Sequence, residues 1–155
     1  MKIIAVDPGK TCGLAEMDTH GNVFTEELSW YDCLSYVHER LRAGAVDLLA
    51  CESFVISQRT LSGTRQYDAL HAIGAMRYLA LQYRTDFRLV TPAASKRFST
   101  DDKLRKLGWY FPSSGGHRND AARVLLWAAV NEGALDRTEL LPKHCDLDSC
   151  PDHTR

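Results

Sequence analysis

Two short apolar runs, residues 2–6 and 47–51, each stop on a carboxylate: Asp7 after the first and Glu52 after the second. A run this short, closed by a turn signal such as Asp7-Pro8-Gly9, reads as a buried strand and not as a helix. A buried strand must pair on its edges and be covered on its faces, so the rest of the chain has to supply more strands and helices to lie over them.

The remaining pattern supplies both. Residues 13–17 and 23–28 read as two further strands, joined by a hairpin near Thr19-His20-Gly21-Asn22. Trp30–Arg42 has helical spacing, with Tyr31, Leu34, Val37, His38 and Leu41 on one side and Gly44 as its stop. Residues 64–84 predict a long helix with an apolar stripe of Tyr67, Leu70, Ile73, Tyr78 and Leu81. Residues 87–90 predict a last strand, stopped by Thr91-Pro92. Short helical pieces follow near 92–97 and 100–107, then a Gly-rich break at 113–116 and an apolar helix over 119–132. Three hairpin-linked strands, a helix, a strand, a helix and a strand make an α/β fold, a mixed five-stranded sheet flanked by α-helices, over residues 1–135.

A chain of 155 residues suffices for one domain with a core, and 45% hydrophobic with 25% charged residues excludes a disordered or collagen-like chain. No apolar run approaches the roughly 20 residues that cross a bilayer, and the N-terminal run meets Asp7 too soon for a signal peptide. Five scattered cysteines, at 12, 33, 51, 145 and 150, point to reduced thiols. A soluble cytoplasmic protein without membrane contact is the expectation. The net charge of -1 conceals an asymmetry: residues 53–118 hold 11 Lys and Arg against 4 Asp and Glu, whereas residues 1–52 hold 4 against 9. A basic middle of this kind suits a polyanion.

In a sheet with helices on its faces, strand ends and helix starts gather at one edge, where ligands bind. Parallel pairing of the first and fourth strands would set Asp7 beside Glu52. A last helix reaching back to His117 would put that residue and Asp120 on one face, at i and i+3. Carboxylates this close repel and call for a cation, and oxygen ligands favour Mg2+ or Mn2+ over zinc. Read singly, Asp7 is also a turn residue, Asp120 a helix N-terminal charge and His117 a loop histidine. Glu52 resists an ordinary reading more, because a carboxylate is rarely placed unpaired at the end of a buried strand. Gly9-Lys10-Thr11 imitates the end of a P-loop, but that motif needs glycine at position 4, which is isoleucine.

Residues 4–13, Ile4-Ala5-Val6-Asp7-Pro8-Gly9-Lys10-Thr11-Cys12-Gly13, resemble the opening of the RuvC-type Holliday junction resolvases of the RNase H-like nuclease superfamily. Cys51-Glu52-Ser53-Phe54 resembles their second acidic motif, and the stretch through Ala72-Ile73-Gly74 their long helix. Thr91-Pro92 through Lys96 is similar to a Pro-then-Lys segment, and His117-Arg118-Asn119-Asp120-Ala121-Ala122 to the closing His-x-x-Asp-Ala signature. The motifs follow in order over residues 1–132. The sequence departs from the pattern in two ways. Phe54 stands one place earlier than the family's aromatic, and Trp109-Tyr110-Phe111-Pro112 lies where the family has a Gly- and Lys-containing region. The resemblance implies a divergent relative of the kind bacteriophages carry, at work in the bacterial host cytoplasm.

It also implies a Mg2+-dependent endodeoxyribonuclease of the crossover junction type, with Asp7, Glu52, His117 and Asp120 as catalytic metal-binding residues. His117 is either a ligand or a proton carrier. Two Mg2+ ions, with Mn2+ able to substitute, would stand roughly 3.5–4 Å apart at the scissile phosphate. Branched DNA would be the partner, a homodimer would make paired cuts, and each cut would leave a 5'-phosphate and a 3'-hydroxyl. Two alternatives stay open: an RNase H-like nuclease acting on RNA–DNA hybrids or forks, and a branched-DNA-binding protein that does not cleave. Arg59, Arg65, Lys96, Arg97, Lys103, Arg105 and Lys106 are candidates for phosphate contact, against a solvated helix surface as the ordinary reading. Phe54 and Trp109-Tyr110-Phe111 are candidates for stacking on unpaired bases, against a place in the core. His144, Cys145, Cys150 and His153 offer zinc ligands, but their spacing is no common finger. An acidic, flexible tail over 136–155 is expected instead.

Overall fold

The computed structural model describes residues 1–54, 65–112 and 116–140. Five strands, β1 (Ile3–Asp7), β2 (Thr11–Met17), β3 (Val23–Ser29), β4 (Leu48–Glu52) and β5 (Asp86–Val90), form one sheet in the order β3-β2-β1-β4-β5. The first three are antiparallel neighbours, whereas β4 and β5 run parallel to β1. This is the mixed five-stranded sheet expected. It reaches that order because α1 (Trp30–Arg42) carries the chain from the β3 edge back to the far side of β1, and α2 (Arg65–Gln82) carries it on to β5. Helices α3 (Pro92–Phe98), α4 (Asp101–Leu107) and α5 (His117–Asn131) complete the domain.

Strand alternation divides the core in two. Ile3 and Ala5, Ala15 and Met17, and Leu48 and Ala50 face one side, where α5 lies with Leu104 of α4 and Trp109. Ile4 and Val6, Cys12 and Leu14, and Leu49 and Cys51 face the other, against Cys33, Val37 and Leu41 of α1 and Met76 and Ala80 of α2. Cys12, Cys33 and Cys51 are free thiols on this second side. Every residue of β1 and β4 is buried, as two-sided cover requires.

The helix starts are written locally. Ser29 caps α1 by accepting from the Asp32 N–H. Thr91 caps α3 ahead of Pro92, Thr100 caps α4, and Gly108 ends α4 in the left-handed region at φ 72°. Glu16, buried on β2, accepts from the Tyr36 hydroxyl at 2.6 Å and pairs with Arg40. Burial and that carboxylate push the Tyr36 phenol up to about 12.

Four details differ from the sequence expectation. Strand β2 begins at Thr11, not Gly13, and α5 begins at His117, not Asn119. Most of the stripe expected to bury α2 faces outward: Tyr67, Leu70, Tyr78 and Leu81 are exposed, Ile73 packs against the core, and the buried side is Ala69, Ala72, Met76 and Ala80. Both stripes have helical spacing, and the side with small residues lets the helix lie close against the sheet. On α1, likewise, Tyr31 is exposed and Cys33 takes its place in the core. Beyond residue 135 the chain makes a 3-10 turn at Arg137–Leu140, with Leu140 against the core; residues 141–155, and with them His144, Cys145, Cys150 and His153, lie outside the described residues. Among the described residues no helix is long and apolar enough to cross a membrane.

Candidate active site

The parity that builds the core also aims the acids. Asp7 follows Ile3 and Ala5, and Glu52 follows Leu48 and Ala50, so both carboxylates leave the sheet on the α5 side. The parallel register Ala5↔Ala50 and Val6↔Cys51, taken one step further, sets Asp7 next to Glu52. On the other flank Asp7 pairs with Gly13 of β2. Gly13 has no side chain to hold off α5. A Cβ there would stand 1.9 Å from the His117 carbonyl oxygen, so only glycine admits the first turn of α5 over the strand ends. Gly116, at φ 78°, turns the chain into that helix.

His117 therefore arrives beside Asp7, with Nδ1 2.8 Å from Oδ2. Asp120 follows one turn later on the same helix face. Asp7, Glu52, His117 and Lys96 line one cavity of about 600 Å³, together with Phe54 and the β1–β2 turn at residues 8–10. Asp120 stands beside Lys96, its Oδ2 3.4 Å from Nζ, and its Oδ1 accepts from Arg123. Asp7, Glu52, His117 and Asp120, from three separate segments of the chain, thus gather at the C-terminal ends of β1 and β4.

The electrostatics are those of crowded, sheltered acids. Burial pushes the Glu52 carboxyl up to about 7, and the Asp7 charge adds to it, against a hydrogen bond donated by the Ser95 hydroxyl at 3.1 Å. Asp7 is raised too, chiefly by burial and in part by Asp120, although His117 and a hydrogen bond with Glu52 work the other way. Burial opposes a charged imidazole at His117, but the hydrogen bond and charge of Asp7 outweigh it and raise its pKa. Two carboxyls this close resist ionising together. A hard cation would relieve that repulsion, and the oxygen donors of Asp7 and Glu52 fit Mg2+ or Mn2+. Among the described residues no three His, Cys, Asp or Glu side chains are already gathered at ligand spacing, and Asp120 gives its oxygens to Lys96 and Arg123. Glu16, as buried as Glu52, has Arg40 instead of a second acid beside it and offers no such place.

The other candidates divide. Lys96 stands at the cavity, and Arg97 and Lys106 are exposed on α3 and α4. Lys103 is engaged in the fold: its ammonium donates to the Phe98 carbonyl and lies over the Phe98 ring, closing the end of α3. Arg105 pairs with Asp101 and Asp102 over the Tyr110 ring. Arg59 lies outside the described residues, as does the side chain of Arg65. Of the aromatics, Phe54 lines the cavity, but Trp109 is buried in the core. Phe111 is fastened by Asn119, which bonds both its N–H and its C=O, and Arg118 covers its ring. The sequence reading missed Ser95, which steadies Glu52, and Arg123, which ties Asp120 to Asp101 of α4. The only mark of either in the sequence is its phase, one residue before Lys96 and three after Asp120.

No family model and no curated protein sequence matches the chain. Among solved structures it is similar to Thermus thermophilus RuvC in complex with a Holliday junction substrate, with a TM-score of 0.64 and 16% identity over 86% of this chain and 96% of that one. It is similar also to the Thermus thermophilus RuvC structure, with a TM-score of 0.61 and 18% identity over the same shares. At such identity the likeness is one of fold: the chain has a divergent RuvC-like form of the RNase H-like fold.

Proposed function

We propose that this chain is a divalent-metal-dependent endodeoxyribonuclease that cuts branched DNA, four-way junctions in particular, by phosphodiester hydrolysis. The observation that carries the reading is the convergence of Asp7, Glu52 and His117 on one cavity, with Lys96 in its wall and Asp120 a helical turn from His117. A site for binding alone would have no use for acids crowded beside a phosphate. The similar RuvC structure solved with a Holliday junction substrate supports the choice of DNA.

Asp7 and Glu52 would hold the cation, joined by Asp120 once it exchanges Lys96 for the metal. The bound Mg2+ would supply Lewis acidity toward the phosphate and a more acidic water. Lys96, on the cavity wall, would receive the phosphate and hold its negative charge. His117 has Nδ1 committed to Asp7. That leaves Nε2 to pass a proton to the departing 3'-oxygen. The resulting ends would be a 5'-phosphate and a 3'-hydroxyl.

Paired cuts need two sites, and we propose a homodimer. Its support is an outward apolar face, formed by Tyr67, Leu70, Tyr78 and Leu81 of α2 beside Leu89 on edge strand β5.

The test uses end-labelled four-way junction, Y-fork, linear duplex and RNA–DNA hybrid with Mg2+, Mn2+ or Ca2+, and Asp120→Asn as control. Paired symmetric nicks in the junction, absent with Asp120→Asn, are expected. Cutting of forks or hybrid alone would move the substrate, and junction binding without cleavage in any metal would overturn the nuclease.

A further inference from the structure

A second cavity, of about 460 Å³, adjoins the first. Its walls are Lys10, Ser29, Trp30, Tyr31, Asp68 and His71, and Lys10 lines both cavities. It exists because the start of α1 is tied to the β1–β2 turn: the Trp30 N–H donates to the Lys10 carbonyl at 3.2 Å. Two aromatic residues therefore stand at the catalytic edge of the sheet. Trp30 is half-buried and packs on the core beneath α1, whereas Tyr31 is 74% exposed. Their ring centroids are 6.0 Å apart with planes tilted by 48°, so the two rings do not cover each other's faces.

We propose that this cavity takes an unpaired base of the DNA strand being cut, next to the scissile nucleotide, stacked on Tyr31 with Trp30 closing the side. The inference rests on the nuclease reading for the identity of the strand. Its walls choose a base over a phosphate. The cavity carries Lys10, Asp68 and His71, with no cluster of cations to hold an anion inside it, but it offers flat aromatic surface and a few polar groups at the rim. Its size is in the range of small-molecule sites. Lys10, standing between the cavities, would hold the phosphate that joins the stacked nucleotide to the one in the catalytic cleft. A branch point is where such a base is most cheaply freed, since stacking is already interrupted on one side of it.

The experiment measures affinity in Ca2+ for four-way junctions with a single abasic site moved stepwise along one strand through the exchange point. Wild type, Tyr31→Ala and Tyr31→Phe are compared, and each is titrated with a single strand containing 2-aminopurine. One abasic position is expected to weaken wild type about tenfold, in line with the worth of one stacked base. Tyr31→Ala should bind intact junction about as weakly and ignore that abasic site, while Tyr31→Phe, which keeps the ring, behaves as wild type. Quenching of 2-aminopurine should depend on the ring in the same way. If Tyr31→Ala cuts junctions but stays as sensitive as wild type to every abasic position, the base pocket is overturned and the nuclease stands. If wild type cuts nothing yet quenches 2-aminopurine through Tyr31, the nuclease is overturned and the pocket stands.

Discussion

Gly13 and His117 meet backbone to backbone: a Cβ on Gly13 would stand 1.9 Å from the His117 carbonyl oxygen and 3.1 Å from the Ala121 side chain. The contact sets how far the first turn of α5 reaches over the ends of β1 and β4, and so where His117 and Asp120 stand relative to Asp7.

Gly13→Ala is therefore expected to push α5 outward. Overpacking of this kind costs about 1–3 kcal/mol, to be read from urea unfolding. Cleavage should fall much further than stability, because the histidine and the acid move together away from Asp7. A variant of wild-type activity would mean that the site tolerates that displacement.

The crowded acids make a pH prediction whose sign is fixed. Glu52 is pushed up to about 7 in the folded protein from 4.5, so the folded state holds this proton more tightly than the unfolded one. Its contribution to stability is present below about pH 4.5 and is lost as pH rises through 7. Asp7 and His117, also raised, act in the same direction. A divalent cation favours the ionised carboxylates, so the gain in Tm from Mg2+ over EDTA should widen as pH rises. Glu52→Gln should flatten the metal-free profile and shrink the gain. An equal Mg2+ effect at pH 5 and pH 8 would count against a cation at these acids.

Ser95, fully buried, donates to Glu52 and holds its pKa down. Ser95→Ala removes that bond at a cost of about 1 kcal/mol, and the acidic limb of the pH–rate profile should move to higher pH. A stability loss with an unmoved limb would confine Ser95 to a structural part.

Arg123 joins Asp120 to Asp101 with its own side chain mostly buried. Arg123→Met should cost about 1.5–3 kcal/mol, the range for hydrogen bonds to charged groups, in thermal and urea unfolding. It also leaves Asp120 with Lys96 alone, so the Mg2+ concentration for half-maximal cleavage should change. If both quantities match wild type, the link between α4 and the site has no consequence.

The outward face of α2 predicts an oligomer. Leu81 is 76% exposed, so Leu81→Glu should leave the fold intact, shown by an unchanged circular dichroism spectrum. It should halve the mass seen by light scattering if two copies meet there. A mass independent of this residue would place the contact elsewhere.

How much of this was legible beforehand follows from what kind of information each residue needed. Asp7 and Glu52 could be read directly, because a carboxylate that ends a buried run is placed by chain order and period-two alternation alone. His117 and Asp120 could be paired by helical spacing once the helix was allowed to start at 117. The face of α2 could not be read. Tyr67, Leu70, Tyr78 and Leu81 and the set Ala69, Ala72, Met76 and Ala80 have the same period, and hydrophobicity favours the wrong one. Only the close approach of helix to sheet chooses the small residues. Lys103, Trp109 and Phe111 looked like DNA contacts because composition does not say whether a cation or ring is already engaged; the end of α3, the core and the Asn119 side chain respectively engage them. Ser95, Arg123 and the aromatic pair at Trp30 and Tyr31 carry no motif, and their parts arise where elements far apart in the chain meet. The sequence by itself determined the strands, their order of appearance and the acids at their ends, since these depend on local alternation and turn chemistry. The tertiary structure alone decided which helix faces are buried and what surrounds each acid, since those depend on distances between segments that no local pattern encodes.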